Sequence, residues 1–141
     1  MKLSSNLNLF ISLAKFQTIL NRKFDSTLGG LGFNEFLIMY HLASARDGQL
    51  RCIDLASKVG LTASGVTRLL LPMEKVGYIK RHVNSQDARE RFISLAPGGK
   101  TKLEEGVERA ETFCSETIPS DFAKDIKKIG EVINSLTALI N

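Results

Sequence analysis

Ser64, Gly65, Thr67 and Arg68 stand together in TASGVTRLLLPMEKVG (62–77), and Asp87, Arg89 and Arg91 stand together in NSQDARERFISLAPGGK (84–100). These residue types at this spacing donate hydrogen bonds and carry charge. An arginine can give two parallel hydrogen bonds to guanine O6 and N7, and serine and threonine hydroxyls reach bases or phosphates. Bond-breaking chemistry has no counterpart in the chain. It holds no GxSxG, HExxH, Walker loop or dinucleotide fingerprint. Its two histidines, His41 and His82, are isolated and make neither a triad nor a metal cluster. An enzyme is not expected, nor any cofactor or metal.

The charge follows the same residues. Residues 60–102 hold eight Lys and Arg against three Asp and Glu, a net of +5, while the whole chain carries +4. The remainder is therefore slightly acidic. A basic patch on a near-neutral body is the footprint expected of a partner that binds a polyanion. The chain of 141 residues, 43% hydrophobic and 24% charged, is long enough to bury one core. No apolar run approaches the roughly 18 residues that span a membrane. The N-terminal stretch MKLSSNLNLFISLAKFQ lacks a small-residue cleavage site and is not read as a signal peptide, so a cytoplasmic location is expected. Cys52 and Cys114 lie far apart without a CxxC pair. Buried free thiols and a redox-sensing thiol both remain open readings for them.

Helical spacing of apolar residues predicts the elements that would position these side chains. Residues 5–27 carry two overlapping stripes, Leu7, Phe10, Ile11, Ala14 and Leu9, Leu13, Phe16, Leu20, Phe24, wider than one buried face needs. A helix over about 33–45 follows GGLG, and LRCIDLASKVG gives another that stops at Gly60. Thr62 is a plausible N-cap for the next, Ala63–Val76, whose stripe Val66, Leu69, Leu70, Met73 faces inward. Two helices joined by so short a link form a helix-turn-helix. Strands at 78–83 and 91–95 make a hairpin directly after it. Pro97 opens a helix to about Thr117, with Leu103, Val107, Ala110, Phe113 and Cys114 on one face. Pro119 starts a last helix bearing Phe122, Ile126, Ile129, Val132, Ile133, Leu136, Leu139 and Ile140.

A helix-turn-helix followed at once by a hairpin is a winged helix. Its second helix suits the major groove, with residues of its N-terminal half reading base edges. Ser64, Gly65, Thr67 and Arg68 fall on that outward end; Gly65 permits close backbone approach, and Thr62 combines a cap with a phosphate contact. The hairpin tip would reach the neighbouring minor groove, where an arginine is attracted by the negative potential. Arg89 is the residue so aimed, with Asp87 pairing with it to fix its direction. Lys80, Arg81 and Arg91 read equally as phosphate contacts or as a solvated face. His82 is expected beside phosphate, and His41 as a packed or capping residue. The competing class is a winged-helix protein-interaction module without direct DNA readout; it would show apolar residues where this helix shows Ser64, Gly65, Thr67 and Arg68.

DLASKVGLTASGVTRLLLPMEKVGYIKR (54–81) and DARERFISLAPGGK (87–100), with helices at both ends, resemble the MarR family of transcriptional regulators. The second stretch is similar to the family's wing signature, Asp-x-Arg and then a short strand ending in Leu. The resemblance implies a mainly α, winged helix-turn-helix fold in a single domain over 1–141. The DNA-binding lobe would cover about 33–96, and the dimerisation helices about 5–27 and 97–140. It further implies a homodimer joined through the first and last two helices, a pseudo-palindromic double-stranded operator, a repressor's role and, more loosely, a small-molecule or redox effector. Three features depart from the family pattern. Arg51 stands where the first helix of the turn motif usually has a capping Ser or Thr, PGG replaces the usual lead into the fifth helix, and Pro72 lies inside the recognition helix, where it is expected to loosen it locally.

Overall fold

The computed structural model describes residues 1–141. Helix α1 spans Ser5–Thr27; the Ser4 hydroxyl accepts from the Leu7 amide at 3.2 Å and so satisfies a free donor of its first turn. Helix α2 is Phe33–Ser44. Its start is held twice, by the Glu35 carboxylate reaching back to the Gly32 amide (3.3 Å) and by Asp25 accepting from the Phe33 amide (2.7 Å). A short strand β1, Gln49–Arg51, leads into α3, Cys52–Val59. Gly60 ends α3 in the left-handed region at φ 72°, where a side chain would be strained. Helix α4 is Ala63–Lys75, with Thr62 as its N-cap. Strands β2, Ile79–Val83, and β3, Arg91–Leu95, precede α5, Pro97–Thr117. A 3-10 turn, Ser120–Phe122, and helix α6, Ala123–Ile140, complete the chain.

The fold is mainly helical with one small antiparallel sheet of order β1-β3-β2. The sequence reading expected two strands; the third, β1, pairs Gln49, Leu50 and Arg51 with Ser94, Ile93 and Phe92. Three residues are too few to show a period of two, so this strand left no pattern. The last helix begins at Ala123 rather than at Pro119, because the 3-10 turn occupies the residues between.

The chain forms two compact units, Met1–Ala110 and Glu111–Asn141, with the boundary inside α5. In the first, Leu28, Leu31, Ile38, Met39, Leu42, Leu55, Val66, Leu70, Met73, Ile79 and Ile93 are buried against one another. The inward stripe of α4 falls as expected, with Leu69 half-buried at its edge. Helix α5 buries Gly99, Leu103 and Gly106, and Val107 stays exposed, so its inner face differs from the predicted one. Both glycines have a steric reason. A Cβ on Gly99 would lie 1.9 Å from the Tyr78 carbonyl oxygen, and one on Gly106 would lie 3.1 Å from the Phe36 ring. The PGG lead is thus a place where the backbone of α5 meets the backbone entering β2. Helix α1 buries only Phe24, and α6 buries nothing.

Candidate nucleic-acid interface

The first turns of α4 gather Thr62, Ser64, Gly65, Thr67 and Arg68. The Thr62 hydroxyl accepts from the Gly65 amide (3.0 Å) and lies 3.3 Å from the Ser64 hydroxyl. A Cβ on Gly65 would stand 3.1 Å from that Thr62 oxygen, so glycine lets the cap close. The Thr67 hydroxyl donates to the Ala63 carbonyl (2.9 Å) and keeps its lone pairs for another donor. Arg68 is exposed and makes no ion pair. No acidic residue occupies the first turn, so the positive end of the helix dipole is unopposed. Pro72 is exposed and α4 continues past it to Lys75; its missing N–H leaves the Arg68 carbonyl without the usual partner four residues on.

The wing tip is a closed loop. The Asn84 amide donates to the Glu90 carbonyl (3.0 Å) and the Glu90 amide to the Asp87 carbonyl (3.1 Å). The Asn84 side chain bonds the Gln86 amide (2.9 Å) and the Glu90 carboxylate. The Asp87 carboxylate accepts from the backbone amide of Arg89 (3.0 Å). This corrects the expected side-chain pairing: the Asp87 carboxylate bonds the backbone amide of Arg89, and the guanidinium is exposed and without an ion pair. Such an Asx turn is local chemistry that an aspartate two residues ahead can always make.

The sheet separates residues that the sequence placed together. Side chains alternate along a strand, and directly paired residues share a face. Arg81 pairs in register with Ile93, and Val83 with Arg91, so Arg81, Val83 and Arg91 lie on the face of the buried Ile93. Lys80 pairs with Ser94 and His82 with Phe92, on the opposite face. Lys80 and Arg91 therefore cannot form one surface. Arg81 is occupied: its Nε lies 2.7 Å from Glu74, tying β2 to α4. Lys102 donates to the Gly29 carbonyl (2.8 Å), tying α5 to the turn after α1. Of the eight cations in 60–102, the six others, Arg68, Lys75, Lys80, Arg89, Arg91 and Lys100, are exposed and unpaired.

Both cysteines are free and half-buried rather than buried. Cys52 lies beneath the recognition helix, with Sγ 3.6 Å from the Thr67 hydroxyl, a neighbour the sequence gave no means to foresee. His41, half-buried in the last turn of α2, packs edge-on to Tyr40. Burial lowers its pKa from the ordinary value, and the positive charge of Lys58 adds to that. Arg51 caps α3 only with its backbone; its side chain pairs with Asp54 and Glu90.

This geometry, a capped helix with a polar outer end beside a cationic hairpin, agrees with the comparisons. The MarR family model matches residues 34–90. The chain is 28% identical over 140 residues to the HTH-type transcriptional repressor YetL of Bacillus subtilis, covering 95% of this chain and 84% of that one. It is 32% identical over 105 residues to an uncharacterized HTH-type transcriptional regulator of Bacillus cereus, covering 68% of this chain and 69% of that protein. Among solved structures, its fold is similar to that of Sco3205, a MarR family transcriptional regulator from Streptomyces coelicolor solved in complex with DNA (TM-score 0.75, 20% identity, 95% and 89% covered). It is also similar to that of the transcriptional regulator BldR from Sulfolobus solfataricus (TM-score 0.77, 20% identity, 96% and 99% covered). The fold and its polar helix define a winged helix-turn-helix regulator. The chain belongs to the MarR family of transcriptional regulators.

Proposed function

We propose that the protein is a repressor that binds a pseudo-palindromic operator as a homodimer, in the cytoplasm. Helix α4 lies in the major groove, where Arg68 reads a guanine and Ser64, Thr67 and the close backbone at Gly65 complete the contact, with Thr62 at a phosphate. Arg89 enters the adjacent minor groove, directed by Asp87. Lys80 and Arg91 meet phosphates from opposite faces of the sheet. A small-molecule effector acting on the dimer belongs to the same reading.

The observation that carries this is the set of six exposed, unpaired cations around a recognition helix with no acid in its first turn. Cations meant only to solvate a surface gain by pairing with neighbouring acids, as Arg81 does with Glu74. YetL is named a repressor and Sco3205 was solved with DNA, which supports the reading. The dimer is supported by the exposed apolar side chains of α1 and α6. The test is binding of duplex DNA across salt concentrations. Affinity falls steeply as salt rises, because each neutralised phosphate releases counterions. A flat dependence overturns the proposal.

A further inference from the structure

Arg51, which lacks the capping chemistry expected at its position, holds three parts of the winged helix together. It is the last residue of β1 and the N-cap of α3, with no side-chain cap bond. Its Nε lies 2.8 Å from Asp54 Oδ2 in the first turn of α3, and its Nη1 lies 3.2 Å from Glu90 Oε1 at the base of the wing tip. The other Glu90 oxygen accepts from the Asn84 side chain, whose own oxygen accepts from the Gln86 amide. One set of side-chain bonds therefore runs from the helix-turn-helix across to both ends of the wing loop.

We propose that Arg51 and Glu90, braced by Asp54, are positioning residues that latch the wing at the angle from which Arg89 meets the minor groove. The proposal rests on the DNA-binding reading above. Three observations carry it. The ladder between β2 and β3 ends at the Val83–Arg91 pair, and that between β1 and β3 at Arg51–Phe92, so Glu90 lies beyond both. Beyond those ends, the Arg51–Glu90 pair is the side-chain bond that ties the loop to the helix-turn-helix. The side chains of Arg51, Asp54 and Glu90 are 45%, 42% and 34% exposed, and pairs this open add little to stability. Finally, Glu90 is an acid inside the most basic stretch of the chain. By charge alone it opposes a polyanion, so its presence calls for a geometric role. A guanidinium gripping one carboxylate through two nitrogens has a fixed plane, which suits it to set a direction.

Charge and latch predict opposite signs, and this decides the test. The probe is a duplex selected by the wild-type protein from a randomised pool. Removing an acid from the interface tightens binding if only charge matters. As a latch, Glu90→Gln weakens binding about threefold or more, the scale of coupled neighbours. In an Arg89→Ala background the weakening disappears, because the residue being aimed is gone. Without DNA, amide exchange at Gln86 and Arg89 quickens in both Glu90→Gln and Arg51→Ala, while the urea midpoint of the fold hardly moves. Equal or tighter binding by Glu90→Gln overturns the latch, as does the same weakening with and without Arg89. Unchanged amide exchange in the free variants also overturns it. A wild-type chain that selects no duplex overturns instead the DNA-binding reading, and it does so before any variant is compared.

Discussion

The stretch from Leu28 to Ala96 and the last helix are similarly apolar in sequence but end in opposite conditions. In the first, α2, α3, α4 and the sheet cover one another, and Leu28, Ile38, Met39, Leu42 and Leu55 are fully buried. In α6, Ile126, Ile129, Val132 and Ile133 repeat at helical spacing with none buried; Ile129 is 52% exposed and Leu139 81%. Helix α1 resembles α6: Leu7, Phe10, Ile11 and Phe16 are open, Phe16 at 61%. The difference teaches that apolar periodicity reports a face to be covered, not which chain covers it. Apolar surface of this extent is more than a monomer usually tolerates. The two-fold interface of the proposed homodimer would cover it on both chains with one self-complementary patch.

Ending the chain after Ile118 breaks the comparison most directly. It removes a helix none of whose own residues is buried, from a unit separate from the winged helix, so the winged helix should keep its fold by circular dichroism. Sedimentation should show a monomer, and duplex affinity should fall far beyond what the few lost charges explain, since two half-sites about one DNA turn apart are no longer held together. An intact chain that sediments as a monomer at micromolar concentration, with full affinity for a single half-site, would refute the dimer.

Next in size is a substitution on the self-covered side. Leu70→Ala empties space among side chains that are fully enclosed and should cost about 2–5 kcal/mol in urea unfolding. Ile129→Ala removes comparable apolar surface from an open helix. It should shift the dimer's dissociation constant and leave the unfolding of the winged helix almost unmoved. If the two variants act alike, the two regions are not distinct in kind.

Smaller effects separate residues within the basic stretch. Arg68→Ala should lose about 1–3 kcal/mol of discrimination at one base position, visible when single-base variants of the selected duplex are compared. Lys80→Ala should weaken all duplexes alike and lower the salt slope by about one. Because Lys80 lies on the opposite sheet face from Arg91, the losses of Lys80→Ala and Arg91→Ala should add. Unchanged base preference in Arg68→Ala would displace α4 as the reading helix.

Much of this was legible because it is local. Thr62 announces a cap by its hydroxyl three residues before a free amide, Gly60 announces a helix end, and strand β3 covers the run Arg91–Leu95 expected of it. Helix α1 spans the same residues as its two stripes. What the sequence hid depends on residues distant in the chain. Strand β1 exists through its pairing with β3, and Arg51 meets Glu90 39 positions away. For Arg81 the sequence leaves a phosphate contact and a solvated face equally open, and only the fold sets Glu74 beside it. Gly99 and Gly106 look like punctuation, yet each is required by a neighbour from another element. Asp87 bonds the amide of Arg89 and not its guanidinium: spacing gives a pair, while only the turn decides between a side chain and an amide.

The smallest effect is one of pH, and it should fall on one region only. His41 lies in α2, and neither α1 nor α6 contains a histidine. Burial, aided by Lys58, lowers the folded His41 pKa below the ordinary 6.5, so the folded chain binds fewer protons than the unfolded chain below neutrality. Stability is then unaffected above about pH 6.5, declines as pH falls from there through the lowered folded value, and is constant in this respect beneath it. The ring is only half-buried, which keeps the decline small. It should be seen as a slight drop in the urea midpoint of the winged helix, and His41→Gln should flatten it. The dimer's dissociation constant should respond to His41 protonation far less than the urea midpoint does, because His41 lies on neither α1 nor α6. A dissociation constant that moves with pH while the urea midpoint stays fixed would place the sensitivity in the wrong region.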